Sequence, residues 1–158
     1  MIYYLAHSDW ILFNSRKEIA SKLKELNYQI SAITTNDKYA DELKIHFDNF
    51  HEWKVNKFSL IDINGVRNLR KKLKKLNEGD ILHIFTLKSG LYALFSTHFL
   101  TKKFKIVLSV TGLGYLFSKG TKSMVIRNIL RFYMKFFFNK KIDYIIFQNH
   151  KDQKILSN

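Results

Sequence analysis

Blocks of apolar residues alternate along this chain with polar, helix-forming stretches. Met1–Ala6 predicts a short first strand, broken by His7-Ser8-Asp9. From Ile11 to Asn27 the residues Leu12, Ile19, Leu23 and Leu26 recur at helical spacing, and Asn27 supplies a stop. Gln29–Thr34 predicts a second strand. Thr35–Asn49 is polar, with a short helix over Tyr39–Ile45, and a third strand falls within Trp53–Leu60. Val66–Leu76 reads as a basic amphipathic helix ending at Asn77-Glu78-Gly79. Asp80–Thr86 is apolar at nearly every position, the pattern of a central strand. Ser89-Gly90 opens a helix towards Leu100, and Phe104–Val110 predicts a fifth strand. A long helix over Thr121–Asn139, a sixth strand over Asp143–Gln148 and a last helix capped by Asn149 complete the pattern.

Strands and helices alternating in this way specify a parallel sheet covered on both faces. The expected fold class is α/β: a Rossmann-like, doubly wound sheet of about six strands in the order 3-2-1-4-5-6. One domain is expected to span residues 1–158, since repeats, low-complexity runs and an internal linker are absent from the sequence.

Composition changes this picture mainly through charge. Lys and Arg number 27 against 13 Asp and Glu, a formal net charge of +14. Between Ile81 and Ile142 there is no acidic residue, yet there are eleven Lys and Arg. That asymmetry points to an anionic partner: phosphate of nucleic acid, of lipid headgroups or of a diphosphate-bearing substrate. With no cysteine, disulfides and thiolate metal sites are excluded. No secretory signal and no membrane-spanning apolar run is visible.

The candidate chemistry gathers at strand ends. Lys105–Lys119 runs from a β-branched strand into the loop Thr111-Gly112-Leu113-Gly114-Tyr115, at the edge where α/β sheets hold ligands. Gly112-x-Gly114 is not a dinucleotide fingerprint: Phe117 occupies the third glycine position, and the loop follows the fifth strand instead of the first. A phosphate-binding loop of the Walker type is also missing. The six histidines show no metal-ligand spacing, so no metal is expected. His83, alternating with apolar neighbours inside a strand, reads as a core or sheet-edge residue and not a ligand. His7, at the carboxyl end of the first strand, is a functional candidate.

On the helix from Thr121, Arg127, Arg131 and Lys135 form a basic stripe, and Met124, Met134 and Phe138 fall within or beside it. Apolar side chains among cations suit an interfacial helix on an anionic bilayer. A solvated face is the second reading and nucleic acid the third, with no recognised nucleic-acid motif to support it. The Lys71–Lys75 run reads as a solvated face or a secondary lipid contact.

Several segments in order resemble the N-terminal domain of a family 4 glycosyltransferase, more narrowly the bacterial branch building lipid-linked O-antigen, capsule and other surface oligosaccharides. They are Ser8-Asp9-Trp10 with Asn14-Ser15-Arg16, Asp80–His83 running into Thr86–Gly90, Val110–Phe117, and Phe147-Gln148-Asn149 with Asp152. The resemblance implies one half of a GT-B enzyme, in which this half receives a polyprenyl-diphosphate-linked sugar and a second domain binds the nucleotide sugar. The resemblance also implies that transfer is retaining and needs no bound metal. Ser15 replaces a histidine usual in the branch, and Thr111 stands where many related enzymes have histidine.

The resulting expectation is the acceptor-binding half of a retaining glycosyltransferase, peripheral on the cytoplasmic face of the cell membrane. The chain alone is expected to be inactive, binding no cofactor itself, with nucleotide sugar as co-substrate of the complete enzyme and a donor-binding domain outside these residues. Acceptor contacts are expected from Trp10, Arg16, Lys88, Ser89, Thr111, Gly112, Leu113, Gly114 and Tyr115. Membrane contacts are expected from Met124, Arg127, Arg131, Met134, Lys135 and Phe138. The rival is a non-catalytic basic module that binds anionic lipid or a partner subunit.

Overall fold

The computed structural model describes residues 1–59, 62–98, 100–101, 103–111 and 141–157. Six strands form a single parallel sheet: β1 (Ile2–Leu5), β2 (Ile30–Thr34), β3 (Asn49–Glu52), β4 (Ile81–Phe85), β5 (Lys105–Val110) and β6 (Tyr144–Phe147). Their order is β3-β2-β1-β4-β5-β6, the expected doubly wound arrangement. Chain direction across the sheet reverses between β1 and β4, which pair from Ile2 with Ile81 to Leu5 with Ile84.

The helices among the described residues are α1 (Asp9–Ser15), α2 (Lys17–Glu25), α3 (Ala40–His46), α4 (Ile63–Leu73), α5 (Leu87–Thr97) and α6 (His150–Ser157). Alternation of side chains along each strand divides the core into two layers. Leu5, Ile33, Leu82, Ile84 and Leu108 pack with Leu69, Leu73 and Tyr92 of α4 and α5. Tyr4, Ala6, Ala32 and Phe85 pack with Leu12, Ala20 and Leu43 of α1–α3. Each fully buried Leu or Ile contributes about 1.5–3 kcal/mol by leaving water. At the amino ends of strands carboxylates take up backbone donors: Ile30 N–H bonds Asp48 at 2.8 Å and Ile106 N–H bonds Asp143 at 2.7 Å.

Three elements differ from the sequence expectation. The single helix expected over Ile11–Asn27 is two helices broken at Arg16, whose φ of −133° and ψ of −16° leave the helical region. Ser15 Oγ donates back to the Ile11 carbonyl at 3.0 Å, a bond that bends helices. The third strand lies at Asn49–Glu52, before the stretch beginning at Trp53, and pairs with Ser31–Thr34. Trp53 instead turns into the core, fully buried, its Nε1–H donating to the Gly65 carbonyl at 2.9 Å. Finally, α5 begins at Leu87 with Thr86 as its N-cap, ahead of the Ser89-Gly90 start, and ends at Thr97. The expected helix over Thr121–Asn139 lies outside the described residues.

Candidate functional site

The carboxyl ends of β1 and β4 meet at the reversal of strand order, where a doubly wound sheet opens a crevice. Thr86 ends β4 there with φ 79° and ψ 149°, a conformation that only glycine adopts without cost. A β-branched residue held so is strained by about 1–3 kcal/mol, and such strain concentrates at functional positions. What the strain achieves is visible in the contacts. Thr86 N–H still bonds the Ser109 carbonyl at 3.1 Å, completing the sheet, while its side chain accepts from Ser89 N–H at 3.4 Å as cap of α5. The same Oγ1 lies 3.2 Å from His7 Nδ1 and 3.2 Å from Ser89 Oγ. Ser89 Oγ accepts His7 N–H at 3.0 Å and lies 3.1 Å from His7 Nδ1.

His7, Thr86 and Ser89 therefore form a closed polar corner joining β1, β4 and α5. Ser89 is fully buried, so its hydroxyl serves the histidine and is shielded from solvent. Burial, aided by the nearby Lys88 ammonium, pushes the His7 pKa down to about 4. The imidazole is thus neutral at physiological pH. Lys88 is itself half-buried, which lowers its pKa, and its Nζ donates to the Lys57 carbonyl in the β3–α4 loop.

Arg16 belongs to a different cluster. The break between α1 and α2 lays its guanidinium over the Phe85 ring, 4.7 Å from the centroid, and Nη1 donates to the Ser15 carbonyl at 2.8 Å. Its Nε is buried with no hydrogen-bond partner among the described residues. Below it, His83 Nε2 bonds Ser109 Oγ at 2.8 Å, with the Tyr4 and Phe85 rings 5.4 and 4.3 Å away. Burial and then the Arg16 charge bring the His83 pKa to about 4. This is the core histidine that its position inside an apolar strand led us to expect.

The sequence-derived acceptor residues are thus partly brought together. Lys88 and Ser89 join His7 at the corner. Trp10 stands 51% exposed at the start of α1, where the buried Asp9 carboxylate holds both Trp10 N–H and Tyr39 N–H at 2.8 Å. Thr111 follows β5 directly and is half-buried. Gly112, Leu113, Gly114 and Tyr115 lie outside the described residues, as do Met124, Arg127, Arg131, Met134, Lys135 and Phe138. Thr86 was missed by sequence reasoning, since no residue pattern announces a positive φ at threonine. A depression of about 440 Å³ lies past the carboxyl ends of β2 and β3, lined by Thr35–Asp37, Glu52–Asn56, Asp62 and Asn64. Its carboxylates and amides have the chemistry of sugar-hydroxyl recognition. No cluster of potential metal ligands occurs among the described residues.

A parallel Rossmann-like sheet in this strand order defines an α/β domain consistent with one half of a GT-B fold. The family described as glycosyl transferase 4-like matches residues 1–149. The chain belongs to that family. A comparison with curated proteins gives no match.

Proposed function

We propose that residues 1–158 form the acceptor-binding half of a retaining glycosyltransferase. The reaction moves a sugar from a nucleotide sugar to a lipid-linked saccharide during cell-surface polysaccharide synthesis. Family membership supports glycosyl transfer in general. The observation that carries the acceptor assignment is the corner at the β1–β4 switch point, where a strained Thr86 fixes a neutral His7 beside Lys88. A cation at this rim suits the diphosphate of a lipid carrier. The depression past β2 and β3, with Glu52, Lys54, Asn56 and Asp62 in its wall and Asp37 paired to Lys57, offers both donors and acceptors to sugar hydroxyls. The nucleotide sugar is bound, in this reading, by residues outside these 158.

Peripheral attachment to the inner face of the membrane belongs to the same proposal. Arg67, Lys71, Lys74 and Lys75 are exposed on and just beyond α4. Phe58 in the loop before that helix and Ile63 at its first position are 89% and 66% exposed. Each such cation near an anionic bilayer is worth roughly 1 kcal/mol. Among the described residues no helix is long and apolar enough to cross a membrane.

Isothermal titration tests the assignment. A polyprenyl-diphosphate-linked N-acetylglucosamine in detergent micelles is expected to bind saturably, and a panel of UDP- and GDP-sugars is not. Clear micromolar binding of any nucleotide sugar to this chain would sink the acceptor reading.

A further inference from the structure

The hydrogen-bond arithmetic at the corner fixes more than the position of His7. Two hydroxyls, Ser89 Oγ and Thr86 Oγ1, lie within reach of Nδ1, at 3.1 and 3.2 Å. Each hydroxyl already accepts a backbone N–H, from His7 and from Ser89 respectively. Each therefore has one proton to give. If Nδ1 accepts, every group is satisfied: one hydroxyl donates to Nδ1 and the other donates to its neighbour, 3.2 Å away. If Nδ1 instead carries a proton, one of the two hydroxyl protons has no acceptor among the described residues. An unmet donor in a half-buried site is the costlier arrangement. The ring proton belongs on Nε2.

Nε2 has no partner among the described residues and is not a buried orphan. It sits on a neutral ring next to an ammonium, Lys88. A ring in this state is a hydrogen-bond donor and not a general base. Its complement is an oxygen lone pair, best an anionic one.

We propose that His7 is a neutral oxyanion donor: accepting at Nδ1 from one hydroxyl of the Ser89–Thr86 pair, it gives Nε2–H to a phosphate oxygen bound beside Lys88. Thr86 and Ser89 are positioning residues that act through the ring, and the strain at Thr86 holds them there. That the phosphate is a lipid diphosphate rests on the acceptor reading above, whereas the tautomer does not.

Nitrogen-15 NMR of the histidine side chains in the full chain tests both parts. His7 is expected as the Nε2–H tautomer, unprotonated between about pH 5 and 8. Three probes are then added separately: inorganic pyrophosphate, a short polyprenyl diphosphate in micelles, and UDP. A shifted, exchange-protected Nε2–H with the polyprenyl diphosphate supports the proposal, and a weaker response to pyrophosphate assigns the lipid as source. A response to UDP alone keeps the oxyanion role and overturns the acceptor reading. An Nδ1–H tautomer, protonation near the ordinary histidine value, or no response to any probe overturns the proposal. His7→Gln, whose amide donates at similar reach, is expected to keep most of the binding. His7→Asn, which keeps polarity but is too short, is expected to lose roughly tenfold or more. Equal binding by the two variants would also overturn it.

Discussion

Two half-buried histidines, His7 and His83, have the same depressed pKa of about 4 and each bonds a serine hydroxyl, yet their surroundings differ in kind. His83 sits inside β4, in register with Tyr4 of β1 and Val107 of β5, and packs between aromatic rings. His7 lies beyond the end of β1, where the sheet pairing has stopped, and is held by the cap of a helix and a strained threonine. Burial sets the pKa alike in both places. What differs is position relative to the strand ends and the backbone strain at Thr86, which set His7 apart as a candidate binding residue from the packed His83. A perturbed pKa alone would have ranked them equally.

The comparison breaks most readily through the interior. Phe85→Ala removes the ring beneath Arg16 and beside His83 and Tyr4. Urea unfolding is expected to show a loss of about 3–5 kcal/mol. Folded protein that remains should bind the polyprenyl diphosphate with little change, because the ring faces the α1–α3 layer and not the corner.

Acid should expose the feature that the two histidines share. From an ordinary value of 6.5 both fall to about 4 in the folded state. Between these values the unfolded chain binds more protons, so stability is lost as pH falls through that window and is fully present above it. Each ring contributes roughly 2–3 kcal/mol, after allowance for partial solvent contact. Replacing either histidine by Asn should flatten the stability profile by about half, measured by denaturant midpoints across the window. An unchanged profile would show that neither ring is held neutral.

The smallest change sharpens the contrast furthest. Thr86→Gly relieves the positive φ, while glycine gives up only a few tenths of a kcal/mol as an N-cap. The variant is expected to be more stable by about 1 kcal/mol. It should nevertheless bind phosphate probes less well, because Oγ1 no longer holds His7 and Ser89. Stability and binding moving in opposite directions would mark the rim as a functional site. A destabilised variant with unchanged binding would mark it as structure alone.

Strand order and the central place of β4 were legible because apolar runs such as Asp80–Thr86 carry their burial in the sequence. The third strand was not. Its residues Asn49, Phe50, His51 and Glu52 lie on a sheet edge and are mostly exposed, so no apolar alternation marks them. The apolar signal next door comes from Trp53, which leaves the sheet to bond Gly65. The break at Arg16 was equally hidden, because helical periodicity continues on both sides of it and only the Ser15 back-bond betrays the bend. At the candidate site, His7 was singled out from its place after the first strand, and Lys88 and Ser89 from the resemblance. Their union through Thr86 depends on a backbone angle set by the meeting of β4, β5 and α5, which no local pattern encodes.

The central claim, that the carboxyl rim between β1 and β4 receives a lipid diphosphate, is tested most directly by photolabelling. A polyprenyl diphosphate with a diazirine next to the diphosphate would be irradiated with the full chain and the labelled peptides sequenced. Label is expected on the segments around His7–Trp10 and Thr86–Ser89, and competition by unlabelled polyprenyl diphosphate should remove it. Label concentrated at the opposite edge of the sheet, around Asp48 and Asp143, or label that resists competition, would contradict the account.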